Sequence, residues 1–311
     1  MAEMLSPDEI DFPTYARETE AKAKVRRAAE FADDLYAAFQ PRDHRTRTVE
    51  MFSTKLRGCI EFRPGEVTAW AGYNGHRKSM FTGQLALDLC VQRRRVLMCS
   101  LEMAPRETLK RMARQCFAVA EPARPSLERF MSWTDGRLWI FDHVGRLSPA
   151  YCMAVIRYFA EELEGTEIVI DSMMMVCASE EHLDEQKQFT TDIVRAAQEF
   201  GVHIHLITHC RKPASGEEKN PPSKYDLRGS AAISDQAHNV ITIWANKAKK
   251  SAIEAGATDD ATRAQPDALV TVEKQRNGAF EGRVKLWFDE ASLRFMDSPT
   301  SVEPYVLREA A

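Results

Sequence analysis

The sequence predicts an α/β fold: a mostly parallel sheet flanked by helices, an antiparallel C-terminal extension, and an N-terminal helical arm. Three observations predict it. Short apolar runs alternate with helical stretches from residue 60 to about 208, which implies right-handed crossovers between parallel strands. A glycine-rich turn, Gly72–Ser79, joins one such run to a helix. The tail then loses its long helices and continues as short apolar runs.

In chain order, Pro64-Gly65 makes a turn and Val67–Ala71 reads as a buried strand. A helix follows from Lys78 to Val91, then a strand at Val96–Ser100 and a helix opened by Pro105 that runs to about Val119. Leu138–Phe141 is a strand, and 149–164 a helix with Tyr151, Val155, Tyr158 and Phe159 on one side. Glu167–Ile170 is a strand ending at Asp171, 185–200 a helix, and His203–Thr208 the next strand. Val240–Trp244, Leu269–Lys274, Val284–Phe288 and Leu293–Met296 form the antiparallel extension. Segments 211–224 and 246–267 are polar and rich in Pro, Gly, Lys and Asp, and read as mobile loops. Three regions are expected: an arm and linker over 1–48, the main domain over 49–300, and a tail over 301–311. Within the arm, Val25, Ala28, Ala32, Leu35 and Phe39 fall at helical spacing. Pro41 and the basic stretch Arg42–Arg47 then read as linker. The arm's stripe suits packing either on its own domain or on a neighbouring copy.

Composition removes several function classes. The formal net charge of −4 over 311 residues rules out a global positive field, so any nucleic-acid contact must come from a local basic loop. Seven scattered cysteines with no C-x-x-C argue against a zinc site or a disulfide framework, and fit a reducing cytoplasm. The acidic start is unlike a signal peptide, and no apolar run approaches the roughly 20 residues of a membrane span.

The chemistry begins at Gly72-Tyr-Asn-Gly-His-Arg-Lys-Ser79. The phosphate-loop pattern is G-x-x-x-x-G-K-[ST], placed between a strand and a helix. Backbone N–H groups of Gly72, Asn74, Gly75, His76 and Arg77 and the helix start would hold phosphates. Lys78 would bind the β/γ-phosphates, and Ser79 would bind Mg²⁺. One position departs from the pattern: Arg77 stands in place of the last glycine. Ile168-Val-Ile-Asp171 is the companion signal, an apolar strand ending in an acid that faces the phosphate crevice from a neighbouring strand and supports the metal. Glu102, at the end of the Val96–Ser100 strand, is placed beside the phosphate-loop strand. There it could orient or deprotonate an attacking water.

Three further strings carry a family resemblance. Ser100-Leu-Glu-Met103, before the basic helix Arg106–Arg114, resembles the SLEM segment of the DnaB-type (superfamily 4) replicative DNA helicases. Asp226-Leu-Arg-Gly-Ser230 resembles their DLRGS segment, and Lys274-Gln-Arg-Asn-Gly278 their KQRNG segment. Ala71-Gly-Tyr-Asn-Gly75 together with Thr208-His209 is closest to phage replicative helicases related to helicase-primase proteins. The resemblance covers about 55–297, with no primase or zinc-binding region expected before it.

This resemblance implies a RecA-like P-loop NTPase using ATP, or another NTP or dNTP, with Mg²⁺. It implies a homo-oligomer, a hexameric ring, that translocates 5′ to 3′ on single-stranded DNA and unwinds duplex during replication. Primase or other replisome proteins would be partners, in the cytoplasm or the host cytoplasm of a phage. Carried over by motif, Glu102 is the catalytic base and His209 the γ-phosphate sensor. Lys274 and Arg276 are the pair that reaches the next subunit's nucleotide. Arg211, Lys212, Lys219, Lys224 and Arg228 contact the DNA backbone. Besides Arg77, the chain departs from the family at Ala245, where an arginine is common, and at Asp235-Gln236, where the glutamine is displaced by one. Two other readings fit the same motifs: a RecA-like DNA-binding ATPase that does not unwind, and a catalytically weakened structural partner in replication.

Overall fold

The computed structural model describes residues 25–39, 49–177, 183–213, 218–229, 231–256, 259–300, 303–305 and 307. The chain divides into two units, 1–46 and 47–311. In the first, a 3-10 turn at Ala28–Phe31 leads into helix α1, Ala32–Phe39. Val25, Leu35, Tyr36 and Phe39 are exposed on it. The expected linker with Pro41 and Arg42–Arg47, residues Glu217 and Ser230, and most of the 301–311 tail lie outside the described residues.

The second unit holds a two-stranded antiparallel pair, β1 (Val49–Glu50) and β2 (Glu61–Phe62), and a nine-stranded sheet. The sheet's strands are β3 (Val67–Ala71), β4 (Val96–Ser100), β5 (Leu138–Ile140), β6 (Glu167–Asp171), β7 (His203–Ile207), β8 (Asn239–Ala245), β9 (Ala268–Gln275), β10 (Gly282–Asp289) and β11 (Arg294–Met296). Their order is β11-β10-β9-β8-β3-β7-β6-β4-β5. Strands β5 to β8 and β3 run parallel with β4, and β9, β10 and β11 are added antiparallel beyond β8.

The alternation of side chains explains why these runs are strands buried on both faces. Val96 and Met98 enter the core on one face with Trp70 and Val169. Leu97 and Cys99 enter the other with Val67, Ala69, Ile168 and Ile170. Helices cover both faces. Helix α2 (Lys78–Val91) and α3 (Pro105–Phe117) supply Phe81, Leu85 and Met112 to the first core. Helix α4, Arg124–Thr134, adds Phe130 and Trp133 there. Helix α5 (Pro149–Glu161) and α7 (Leu183–Phe200) supply Ile156, Phe159, Phe189 and Ile193 to the second. A one-turn helix α6, Met173–Val176, follows β6, and α8, Ala232–Gln236, precedes β8. Helix α3 stops at Phe117 because Ala118 turns left-handed, with φ 57°, and returns its N–H to Arg114.

Three expectations need correction. The 246–267 segment is not a loop throughout: it contains α9 (Lys247–Glu254) and α10 (Asp260–Ala264). Asn246 and Asp259 cap these helices by accepting the N–H groups of Lys249 and Thr262. Strand β4, which leads to Glu102, is not beside the phosphate-loop strand β3; β7 and β6 lie between them. Strand β6, which ends in Asp171, is likewise one strand removed, with β7 intervening.

The topology sets the place of the site. From β3 the chain crosses to β4 and β5 at the edge, returns through β6 and β7, and then passes to the other side of β3 as β8. Open α/β sheets bind ligands at the carboxyl ends of strands where the order reverses, and here that point is the end of β3.

Candidate functional site

The phosphate loop leaves β3 at Gly72, where only glycine fits: an added Cβ would lie 2.4 Å from the Ile243 carbonyl oxygen of β8. Gly75 takes φ +74° and Arg77 φ 63°, both left-handed. Arg77 therefore adopts the backbone that the missing glycine would adopt. Its side chain points away from the loop. The guanidinium stacks 4.0 Å from the Phe288 ring centre and pairs with Glu290 at 2.6 Å. Its carbonyl oxygen accepts the N–H groups of Met80 and Phe81 and so begins α2.

Lys78 is buried, and its ammonium donates to the carbonyls of Gly72 (2.8 Å) and Tyr73 (2.9 Å) and to Nδ1 of His209 (3.3 Å). Burial lowers its pKa, and the nearby charge of Asp171 opposes that shift. The lone pair of His209 Nδ1 faces the ammonium, so the ring proton sits on Nε2. That nitrogen lies 3.7 Å from Glu102 Oε1, beyond hydrogen-bond length. The Ser172 hydroxyl donates to the same oxygen at 2.7 Å. His209 first, then Ser172, hold the Glu102 carboxyl down to about 2. Asp171 is buried at the end of β6, and burial raises its pKa against a side-chain hydrogen bond with Ser79.

These groups meet around one cavity of about 460 Å³, lined by Asn74–Met80, Glu102, Asp171 and His209. The donor set suits Mg²⁺, a hard cation that keeps several waters and needs only one or two protein oxygens beside substrate phosphates. The Ser79 hydroxyl and the Asp171 carboxylate are those oxygens. The start of α2 presents its free N–H groups to the same space, as an anion site requires.

Other expected residues lie elsewhere. Lys274 Nζ donates to the carbonyls of Ser234, Asp235 and Ala237 at 2.8–2.9 Å, at the C-terminal end of α8. Exposed Arg276 donates to Asp235 at 3.2 Å. Neither lines the cavity. Arg211, Lys212 and Lys219 are exposed, and Lys224 reaches Glu273. Arg228 lines the nucleotide-sized cavity, because its N–H bonds the His209 carbonyl and Leu227 bridges back to Cys210. The base of the 211–224 segment is thus fastened to His209. Sequence reasoning missed Arg111 and Ser172. Arg111 was visible only as one of several bases on α3, yet it lines the cavity. Ser172 directly follows the acid of β6, the one signal that could have found it. Among the described residues no helix could cross a membrane, and the seven cysteines are free.

Two solved structures share this fold. One is the structure of a DnaB-like replicative helicase and its interactions with primase. It matches with a TM-score of 0.68 at 18% identity, over 91% of this chain and 70% of that one. The other is the ATPase domain of a phage helicase, with a TM-score of 0.63 at 16% identity, over 95% of this chain and 100% of that one. At those identities the likeness is one of fold. Residues 54–215, more than half of the sequence, match the AAA domain family. The chain belongs to the AAA domain family, and its fold is that of the DnaB-type helicase ATPase domain.

Proposed function

We propose that this chain is an NTP-hydrolysing DNA helicase that works as a ring of copies on single-stranded DNA. The observation that carries the reading is the convergence of Lys78, Ser79, Glu102, Asp171 and His209 on one cavity from β3, β4, β6 and β7. Backbone N–H groups of the loop and the Lys78 ammonium bind the phosphates of ATP or a related nucleotide. Mg²⁺, held by Ser79 and Asp171, supplies charge neutralisation at the β/γ-phosphates. Glu102 orients the attacking water. A carboxyl held to about 2 is a weak base, so proton acceptance requires Glu102 to leave Ser172 and His209. His209 touches both Lys78 and the base of the 211–224 segment, so it can report the γ-phosphate to that segment. Arg211, Lys212, Lys219 and Lys224 contact the strand's phosphates, each copy adding one modest loop. Arg276 serves the next copy's nucleotide, and the 1–48 arm docks on a neighbour. Primase or other replisome proteins are the expected partners.

One experiment tests the reading: nucleotide turnover with and without single-stranded DNA, together with strand displacement on a forked duplex. DNA-stimulated turnover with displacement is expected. Stimulation without displacement would leave a DNA-dependent ATPase that does not unwind. No turnover would make the chain a structural partner in replication.

A further inference from the structure

The phosphate loop and the 211–224 segment are joined by side chains that no family motif contains. His76 is fully buried, and both ring nitrogens are engaged. Nδ1 lies 2.9 Å from the Ala245 backbone N–H, which can only donate. Nδ1 is therefore the acceptor, and Nε2 carries the proton it gives to Glu218 Oε2 at 2.9 Å. Burial also lowers the pKa of His76, which favours this neutral ring. Glu218 is held from two further directions. Its Oε2 accepts from Lys247 Nζ at 2.7 Å, and its carbonyl accepts from Trp244 Nε1 at 2.8 Å. Lys247 in turn donates to the Asn74 carbonyl of the phosphate loop at 3.3 Å.

Beside these groups lies a cavity of about 330 Å³, lined by Lys212, Lys219, Lys247, Trp244 and Glu218. Three ammonium groups around one opening suit a phosphodiester. A phosphate there would compete with Glu218 for Lys247 and repel the Glu218 carboxylate. Moving Glu218 would leave the buried His76 N–H unpaired, a costly state that the phosphate loop can relieve only by shifting. Conversely, a loop fixed around nucleotide fixes Glu218 and the lysines beside it.

We propose that His76 and Glu218 form the link through which a strand phosphate in the lysine-lined cavity is sensed at the nucleotide, with His76 as a positioning residue. The proposal rests on the reading of the 211–224 segment as the DNA contact. Linkage makes such coupling reciprocal.

The test compares the affinity of a fluorescent Mg-nucleotide with and without saturating oligothymidylate, using the full chain. In the natural protein the two affinities should differ by at least about fivefold, the low end of ordinary coupling. His76→Gln places an amide N–H near the Nε2 position and should keep the difference. His76→Asn reaches only the Nδ1 position and should reduce it to under about twofold, against that fivefold threshold. Glu218→Asp keeps the charge but shortens the reach, and should do the same; it carries the test alone if His76→Asn does not fold. If oligothymidylate alters nucleotide affinity equally in all these proteins, the link is wrong while the DNA reading survives. If it binds the natural protein without altering nucleotide affinity, no such link exists. If it does not bind, the DNA reading fails and the link falls with it.

Discussion

Arg77 is the residue most at odds with a working phosphate loop, and the structure allows its cost to be worked out. An L-residue in the left-handed region costs ~1–2 kcal/mol, which glycine would not incur. Against that, the guanidinium stacks on Phe288 and pairs with Glu290. A cation–π contact contributes about 0.5–1 kcal/mol, and an exposed ion pair about 0–1 kcal/mol. Glu290 is 57% exposed and shared with Lys250, so the pair belongs at the low end. Arg77→Ala loses these contacts and keeps the strain, so it should be about 1–2 kcal/mol less stable than the natural protein. Arg77→Gly loses the same contacts but sheds the strain, so it should lie within about 1 kcal/mol of the natural protein. Urea unfolding of the three proteins reads these differences, provided the slope with denaturant stays constant. Nucleotide affinity should change by no more than about fivefold in either variant, the most that ~1 kcal/mol of exposed charge permits. If Arg77→Ala proves as stable as Arg77→Gly, the backbone strain is not there. If Arg77→Gly binds Mg-nucleotide far more tightly than that limit, the Arg77 side chain obstructs the phosphates and the enzyme reading loses its footing.

Lys78→Ala should weaken nucleotide binding, whereas Glu102→Gln should bind nucleotide and lose turnover by at least ~10²-fold; normal turnover in Glu102→Gln would remove Glu102 from the chemistry. Arg276→Ala should abolish turnover with nucleotide affinity largely kept. Mixing it with Glu102→Gln subunits should restore some activity, since one kind of mixed interface holds both intact residues, and no recovery in exchanging rings would count against a contribution in trans. Replacing Arg211, Lys212 and Lys224 with alanine should weaken single-strand binding for every sequence and flatten its salt dependence; an unchanged slope of log affinity against log salt would move the DNA site elsewhere. The last prediction concerns pH. Burial holds His203 and His205 to about 3, so between pH 6.5 and 4.5 the unfolded chain takes up protons that the folded imidazoles refuse, and stability falls on acidification. His205→Gln should remove about 1.4 kcal/mol per pH unit of that loss, and identical pH slopes for the two proteins would refute the assignment.

The sequence disclosed the parts of the site that are local. The turn at Gly72–Ser79, the acid ending β6 and the acid following β4 each sit within a few residues of a strand whose alternation is plain. Their lateral order was not local. The position of β4 beyond β6 and β7 depends on which way each helix crosses the sheet, and no residue near Glu102 records that. The two short helices after β8 are a different matter. Asn246 and Asp259 are ordinary N-cap residues, and the charge around them outweighed that signal. Helix α4 was equally readable, with a proline in its first turn and Phe130 and Trp133 three apart on the buried side. The contact of His76 with Glu218 joins residues 142 positions apart, and only the folded chain brings them together.

The same topology decides what Arg276 can do. Its N–H bonds the carbonyl of His238, which is level with Val67 at the amino end of β3. The nucleotide cavity opens beyond Gly72 at the other end of that strand, and β8 also lies between. Five residues at about 3.3 Å each, with two strand spacings of about 4.8 Å, separate them by roughly 15–20 Å. No side-chain rotation spans that distance, so Arg276 cannot serve the nucleotide of its own chain. Lys274 lies two residues away, with its ammonium already donating to three carbonyls, so leaving α8 would cost it more than Arg276, which makes one such bond. A transition-state cation supplied within one chain would therefore have to be Arg111 or Arg228, which line the cavity. The mixed-ring experiment separates these cases, because an arginine acting in its own chain makes Arg276 dispensable, whereas one acting between copies makes turnover depend on the ring.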